Sequence, residues 1–312
     1  MYRRIVLLAL VLLVAAACDN DDTTENNNTD AADATADVQT DTSDASQDAD
    51  ADGPPEWVRG DDALDYVNPF IGTGGAGFAY SGLTPAVQMP LGMVRLGPDT
   101  TKNGNHPGAL HHFSGYYWED PETRGFSHLH FVGTGVADYG NLRVTPLSQQ
   151  MFEDEEHLGD WRTDFGEQEA EPGYYRATLP EIGVEAELTA STRTGLHRYT
   201  FSGGGPHRLA FDAASSVVDE GALASDVEVD GNTIEGSVEY QGPYVGRGRP
   251  FTLHFSAVAD PAPTSVHTWR DGALSEDTAS ASGQTAGAIL EWDSLDGPVE
   301  LSYSYDGAGR IL

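Results

Sequence analysis

The chain is patterned in short runs of alternating apolar and polar residues, with glycine and proline between them. The clearest alternation occupies residues 184–188, 251–255 and 299–303. Because successive side chains of a strand point to opposite faces, each run predicts a strand with one buried face. Between residues 227 and 235, two such runs flank Asp230 and Gly231, which is typical of a β-hairpin around a tight turn.

Helical periodicity is weak in the same sequence. No window keeps an apolar face at a period of 3.6 residues over three or more turns. The 36 glycines and 17 prolines are spread along the chain and favour turns. Residues 57–312 are enough for one large all-β domain or two small ones. We therefore predict an all-β fold over this segment, a large antiparallel β-sandwich, or supersandwich.

The first 18 residues have the pattern of an export signal. Arg3 and Arg4 precede an apolar run over residues 5–14, which is too short to span a membrane. Small residues then lead into Cys18, as in a bacterial lipobox; a plain signal peptide with an incidental cysteine is the alternative. Cys18 is the only cysteine, so an internal disulfide is excluded. We predict lipidation at Cys18 and an exported, membrane-anchored bacterial lipoprotein, periplasmic or at the cell surface.

Residues 19–56 differ sharply from the rest of the chain in composition. They are rich in Asp, Asn, Thr, Ala and Ser, with almost no large apolar residue and no Lys or Arg. Such a segment cannot bury enough surface to offset its ordering entropy, which predicts a disordered acidic tether. A calcium-binding repeat is the sharper alternative, but the Asp spacing is irregular and no loop glycine accompanies it.

The formal net charge of the chain is −34. The tether contributes a large share, yet the remaining chain is acidic too, with Lys102 as its only lysine. A surface of this sign repels phosphate backbones and anionic lipids. The charge therefore excludes nucleic acid as a partner and limits membrane contact to the lipid anchor.

Residues 72–77 formally match the pattern G-x-G-x-x-G. A dinucleotide site needs a helix directly after these glycines, so that its N-terminus can hold the pyrophosphate. The residues that follow, FAYSGLTP, do not favour the start of a helix. We interpret the glycines, including Gly74 and Gly75, as a tight loop that exposes its backbone.

His128 and His130 lie two residues apart around Leu129. On a strand, this spacing directs both imidazoles to one face. The pair is compatible with a metal site, for which Asp138 is the nearest further ligand, with contacts to sugar hydroxyls, or with two structural histidines. The spacing alone leaves these alternatives open.

Aromatic residues gather at Tyr116, Tyr117 and Trp118, beside Glu119. A half-exposed tryptophan is a stacking surface for sugars, although aromatic side chains also fill the cores of sandwiches. Carboxylate pairs for glycoside hydrolysis cannot be chosen by spacing, since such pairs meet in space rather than in sequence.

Several of these segments together resemble glycoside hydrolase family 92. The resemblance runs from about Tyr66 to the C-terminus and rests on motifs in the family's order: VNPFIGTGG, PLGMVRLGPDT, GYY, GFSHLH, GTGVADYG, PGYY, ELTA and HRY. It implies an N-terminal β-sandwich domain of secreted or periplasmic, calcium-dependent exo-α-mannosidases that act on N-glycans with inversion. In that family the general acid, the base and most calcium ligands belong to a C-terminal (α/α)6 barrel.

The resemblance implies that residues 303–312 are the last sandwich strand and the start of a linker, so that the chain ends where the barrel should begin. No catalytic residue is therefore assigned, and whether the chain alone is an enzyme stays open. Leu129 stands where the family often has Thr, and Trp118 where it often has Ser or Asn, which leaves the sugar preference open. The predicted substrate-binding residues are Trp118, His128, His130, Asp138, Gly74, Gly75 and Tyr116.

Three functions follow as hypotheses. The first is the substrate-shaping, carbohydrate-binding module of an α-mannosidase, inactive alone and working with a separately encoded barrel. The second is a stand-alone surface lipoprotein that binds mannose-containing glycans. The third is a truncated remnant without function.

Overall fold

The computed structural model describes residues 60–75, 82–100, 113–133, 136–218, 221–245 and 249–306. The predictions for the signal peptide (1–18), its Cys18 and the tether (19–56) concern residues outside these ranges. Within them the regular secondary structure is almost wholly β-strand, which confirms the predicted all-β class.

The described residues form 17 strands and a few short helical turns. Helical turns are the 3-10 helices Gly60–Tyr66 and Glu155–His157 and the single-turn α1 (Gln149–Glu153). In chain order the strands are β1 (Gly97–Thr100), β2 (Glu122–Ser127), β3 (Arg143–Leu147), β4 (Thr163–Asp164), β5 (Gln168–Glu171), β6 (Tyr174–Leu179), β7 (Val184–Ala190), β8 (Thr194–Phe201), β9 (His207–Asp212), β10 (Ala222–Asp230), β11 (Thr233–Tyr240), β12 (Phe251–Asp260), β13 (Ser265–Arg270), β14 (Ala273–Ser275), β15 (Ser280–Gly283), β16 (Ala286–Trp292) and β17 (Val299–Asp306).

The strands form two antiparallel sheets. An eight-stranded sheet has the order β1-β2-β3-β9-β16-β13-β14, with β4 added on β2, and a nine-stranded sheet has the order β15-β10-β11-β12-β17-β8-β7-β6-β5. Side chains of the two sheets meet in one core, where Phe211 of β9 stacks on Tyr303 of β17 at 5.8 Å between ring centroids. This arrangement is the predicted sandwich.

The strands predicted from alternating residues are present, and their burial also alternates. Buried and more exposed residues alternate along β7, and along most of β12, because these strands have one face in the core and the other towards solvent. The predicted hairpin is β10–β11: Asp230 pairs with Thr233, and Gly231 takes the positive φ of 62° that a two-residue turn requires.

The eight-stranded sheet is covered on its outer face as well. All six residues of β9 are buried. A second apolar cluster lies against that face and includes Trp161 and Trp269, whose rings meet edge to face at 5.3 Å. The segment that carries α1 and Trp161 supplies this cover and returns to β2 through β4.

Candidate functional site

Loops from distant parts of the chain are joined at one surface of the domain. The backbone N–H of Trp118 donates to the carbonyl of Thr73 at 3.0 Å. The hydroxyl of Ser114 donates to the carbonyl of Leu83 at 2.7 Å. The motifs around residues 67–75, 82–93 and 113–119 are therefore parts of one structure rather than separate loops.

Three of the predicted residues meet on this surface. The Trp118 indole is 47% exposed and packs edge to face on Phe70, with ring centroids 4.7 Å apart. The N–H of Gly75 donates to Glu119 Oε1 at 2.8 Å. A side chain at Gly74 would collide with Glu119 and Trp118, so the loop needs glycine there. The result is an exposed indole held in a fixed orientation by its loop.

Tyr116 lies beneath that surface. Its side chain is fully buried, and its hydroxyl donates to Gln168 Oε1 at 3.0 Å. Burial raises the pKa of this phenol well above its ordinary value, so it stays protonated and continues to donate. Its position is that of a support for the loop rather than a direct contact.

Asp138 is fully buried and organises the neighbouring segment. Its Oδ1 accepts hydrogen bonds from the Tyr240 hydroxyl and from the N–H of Tyr139 at 2.8 Å. Its Oδ2 accepts from the N–H groups of Tyr244 at 2.8 Å and Val245 at 2.7 Å. Both carboxylate oxygens are therefore occupied in fixing residues 240–245.

The segment that Asp138 fixes adjoins an aromatic pocket of about 520 Å³. Its walls include Gln88, Met93, Arg95, Phe131, Tyr139 and Phe251. Phe131 contacts the rings of both Tyr139 and Tyr244, in each case at 5.4 Å between centroids, which extends the aromatic row to the half-exposed Tyr244.

Arg95 supplies the polar element of the aromatic pocket. Its Nε and Nη2 both donate to Gln88 Oε1, at 2.8 and 2.6 Å. Since the guanidinium has five N–H donors, others remain for a bound molecule. Burial lowers the pKa of Arg95 from its ordinary value, yet a guanidinium remains charged at neutral pH.

His130 lies at the wall of the aromatic pocket and is buried. Its Nδ1 bonds to the carbonyl of Ser114, and its Nε2 lies 3.1 Å from Ser127 Oγ and 3.6 Å from Asp99 Oδ1. Burial raises the pKa of Asp99, while His130 and nearby arginines act in the opposite direction. The imidazole thus ties the Ser114 loop to the sheet.

His128 has a different environment, although it is only two residues away. It is completely buried between the sheets, where its Nε2 lies 2.7 Å from His197 Nε2 and its ring packs 4.4 Å from Tyr303. Its Nδ1 lies 2.6 Å from the carbonyl of Leu142. These contacts favour the structural alternative for His128.

The described residues offer no ligand set for the calcium that the resemblance implies. In the described ranges, no group of three or more His, Cys, Asp or Glu side chains could hold a metal ion. Asp138, which the sequence offered as a further ligand beside the histidine pair, has both oxygens occupied by N–H and O–H donors. Calcium binding stays a prediction, and we derive no metal-dependent step from these residues.

Sequence reasoning missed most of the aromatic pocket. Phe131 and Tyr139 follow directly after the predicted His130 and Asp138, so proximity to those motifs was the available signal. Arg95 and Phe251 come from distant segments, and only the fold brings them to the same wall.

The antiparallel sandwich has an aromatic pocket among its loops, an architecture in which a rigid β-scaffold can position binding residues. Residues 66–304 match the model of the glycosyl hydrolase family 92 N-terminal domain. The chain therefore belongs to glycosyl hydrolase family 92 through this domain.

Solved relatives have the same fold. A family GH92 alpha-mannosidase from Bacteroides thetaiotaomicron, in complex with mannoimidazole, aligns with 79% of this chain and 32% of its own at 25% identity and a TM-score of 0.66. A second family GH92 protein from that organism, an inverting mannosidase, aligns with 79% of this chain and 32% of its own at 20% identity and a TM-score of 0.63. This similarity supports the fold alone.

A secreted glycosidase of uncharacterised activity from Arthroderma benhamiae is 28% identical over 157 residues, which are 48% of this chain and 18% of that protein. The chain thus spans about a third or less of the length of these relatives. Within the described part of the chain, none of the helices has the length and apolar character needed to cross a bilayer.

Proposed function

We propose that this domain is a carbohydrate-binding, substrate-shaping module for α-mannosides of N-glycans, working beside a catalytic domain of the family 92 type. The observation that carries the proposal is the aromatic pocket, in which Phe131 and Tyr139 lie beside the guanidinium of Arg95. Tyr244 contacts Phe131 and extends this row of rings beyond the pocket. Exposed rings can stack on the apolar face of a pyranose, and N–H donors can bind its hydroxyls.

The dimensions of the aromatic pocket support a sugar ligand. Its volume of about 520 Å³ lies within the range of roughly 300–1,000 Å³ that is usual for small-molecule sites. Most of its lining is apolar, and a few polar groups are placed to orient a bound molecule. The exposed Trp118, on the loop surface joined to it through Ser114 and His130, provides a second stacking ring for a longer glycan.

The hydrolytic step belongs, in this proposal, to the remaining two-thirds of the relatives' length. Inverting hydrolysis requires an acid that protonates the glycosidic oxygen and a base that activates water on the opposite face. We propose that residues 57–312 bind and orient the mannoside without cleaving it, and that calcium acts with ligands outside this domain.

A group of exposed apolar side chains supports a partner domain. Nine large apolar side chains that are more than a third exposed come from one region of the sequence: Leu64, Tyr66, Val67, Ile71, Leu83, Met89, Leu91, Met93 and Trp118. Such a concentration is typical of an interface. We propose that the catalytic barrel covers part of it, whether it is encoded in the same polypeptide or separately.

We also propose export of the chain as a lipoprotein anchored through Cys18. The N-terminal pattern of basic residues, an apolar run and a lipobox-like cysteine supports this. The related Arthroderma protein is described as secreted.

Calorimetric titration of the full chain with α-mannobiose tests the binding proposal. We expect saturable binding in the millimolar range or tighter, and no hydrolysis with calcium present. Phe131→Ala removes the ring at the centre of the aromatic row and should weaken binding about tenfold, or ~1.4 kcal/mol.

Tyr174→Ala is the matched control, because Tyr174 is a partly exposed aromatic residue of the nine-stranded sheet, outside the aromatic pocket. It should leave the affinity unchanged. Absence of heat at millimolar mannobiose would remove the binding role, and cleavage of an α-mannoside by the full chain would contradict the assignment of catalysis to another domain.

A further inference from the structure

A second pocket, of about 440 Å³, lies on the outer side of the eight-stranded sheet. It is lined by three arginines: Arg124 of β2, Arg143 of β3 and Arg162 on the segment before β4. None of them belongs to the aromatic pocket or the Trp118 surface. In a chain with a net charge of −34, such a concentration of guanidinium groups requires a specific explanation.

Arg143 is the most deeply buried of the three. Its side chain is 3% exposed, and its Nη2 donates to Asp212 Oδ2 at 2.9 Å and to the carbonyl of Gly159 at 2.6 Å. Its Nε has no hydrogen-bond partner. Gly125 permits the close packing, since a side chain there would press on the Arg143 stem and on β3.

The other two arginines share one carboxylate. Asp160 Oδ1 lies 3.1 Å from Arg124 Nη2, and its Oδ2 lies 3.1 Å from Arg162 Nη2. The Nε of Arg124 is buried without a hydrogen-bond partner. Repulsion by Arg143, followed by burial, lowers the pKa of Arg124, although the carboxylates of Asp160, Asp99 and Asp212 act in the opposite direction. The positive charges of Arg124 and Arg143 therefore oppose each other.

Donors therefore exceed acceptors in this pocket. The three side chains bring five N–H donors each, and the acceptors they meet are the carboxylates of Asp160 and Asp212 and one carbonyl. Within the described part of the chain, the buried Nε atoms of Arg124 and Arg143 have no hydrogen-bond partner. Unpaired buried donors are costly.

We propose that this arginine pocket binds a small oxyanion, a carboxylate or phosphate group, either free or carried on a sugar-sized molecule. Guanidinium forks bind the two oxygens of such a group side by side. An anion between Arg124, Arg143 and Arg162 relieves their mutual repulsion and supplies the missing acceptors. A structural role accounts for the Arg143–Asp212 pair, which joins neighbouring strands. The two further arginines share the single carboxylate of Asp160, which leaves one guanidinium charge without a counter-charge among the residues that line the pocket. The proposal is independent of the mannoside site.

Thermal unfolding and calorimetry of the full chain with inorganic phosphate and with glucuronate test this proposal. We expect either probe to bind saturably and to raise the unfolding midpoint, while glucose and sodium chloride at matched ionic strength do not. Tighter binding of glucuronate identifies a sugar acid as the ligand class, and binding of phosphate alone identifies a free oxyanion. The acidic chain does not attract anions non-specifically.

Arg162→Gln should weaken binding at least fivefold. This variant should still fold, because the Arg162 side chain is 45% exposed. Arg124→Gln should weaken it further. Arg198→Gln is the matched control: it removes the same charge from an exposed arginine of the nine-stranded sheet that is also paired with carboxylates. Failure of both probes to bind the unmodified chain, or equal affinity in Arg162→Gln, would overturn the proposal.

Discussion

Asp138→Ala is expected to destabilise the domain by about 3–5 kcal/mol, because several buried donors then lose their acceptor. The N–H groups of Tyr244 and Val245 and the hydroxyl of Tyr240 all donate to this carboxylate. Urea unfolding measures the loss. Hydrogen exchange locates it: the amides of Tyr244 and Val245 should lose their protection before those of β10 and β11.

The stability of Asp138→Asn should lie between that of Asp138→Ala and that of the unmodified chain. Its amide oxygen can still accept from Tyr244 and Val245, while its NH2 can face the Tyr240 hydroxyl, so about 1–2 kcal/mol of charge-assisted bonding is lost. Asp226→Asn is the control, since this exposed carboxylate on β10 accepts from the Ser237 hydroxyl at the surface. It should change stability by less than about 0.5 kcal/mol. Equal stability of Asp138→Ala and the unmodified chain would refute the anchoring role.

Because residues 240–245 carry Tyr244 against Phe131, the same variants link stability to the proposed sugar site. Asp138 was predicted as a direct sugar contact. Its buried position and occupied oxygens favour an indirect contribution, in which it positions an aromatic side chain. Direct contact remains a prediction for Trp118, whose indole is exposed.

The strands that sequence predicts well are those with one face in the core. β7, β12 and β17 alternate because solvent touches their other face. β9 and β3 escaped prediction because both of their faces are covered, so that all residues of each are buried and no period of two can develop. The cover comes from the cluster around Trp161 and Trp269, which no local pattern reveals.

The histidine pair shows the same limit within the site. The prediction of a shared face assumed a strand that continues through His128 and His130, but β2 ends at Ser127. His128 then contacts His197 and Tyr303 of the opposite sheet, whereas His130 contacts Ser114 and Gly97. His197, 69 residues further along the chain, carried no signal that would pair it with His128.

Buried contacts determine the proton positions of this pair. The carbonyl of Leu142 only accepts, so His128 Nδ1 carries a proton and its Nε2 is the acceptor in the neutral ring. His197 Nε2 must then donate to it, and His197 Nδ1 accepts from the Tyr199 hydroxyl, 2.9 Å away. Every ring nitrogen is satisfied while both imidazoles are neutral.

Acid should therefore destabilise the domain through His128 and His197. Burial lowers the pKa of His128 to about 3 and that of His197 well below its ordinary value, with their mutual repulsion acting in the same direction for His197. The unfolded chain takes up protons below about pH 6.5, and the folded chain does not. Stability is complete above that pH and falls as pH decreases towards about 3, by about 1.4 kcal/mol per pH unit for each histidine.

Urea unfolding between about pH 7.5 and about pH 4.5 measures this slope. His128→Gln and His197→Gln should each reduce it, whatever their effect on stability at neutral pH. The slope is the decisive quantity because burial raises the pKa of Asp99 and Asp212, which adds stability in acid and partly offsets the histidines. His157→Gln is the control: Asp154 raises the pKa of this exposed imidazole, so its contribution has the opposite sign. An unchanged slope in both core variants would mean that the buried pair is protonated in the folded domain.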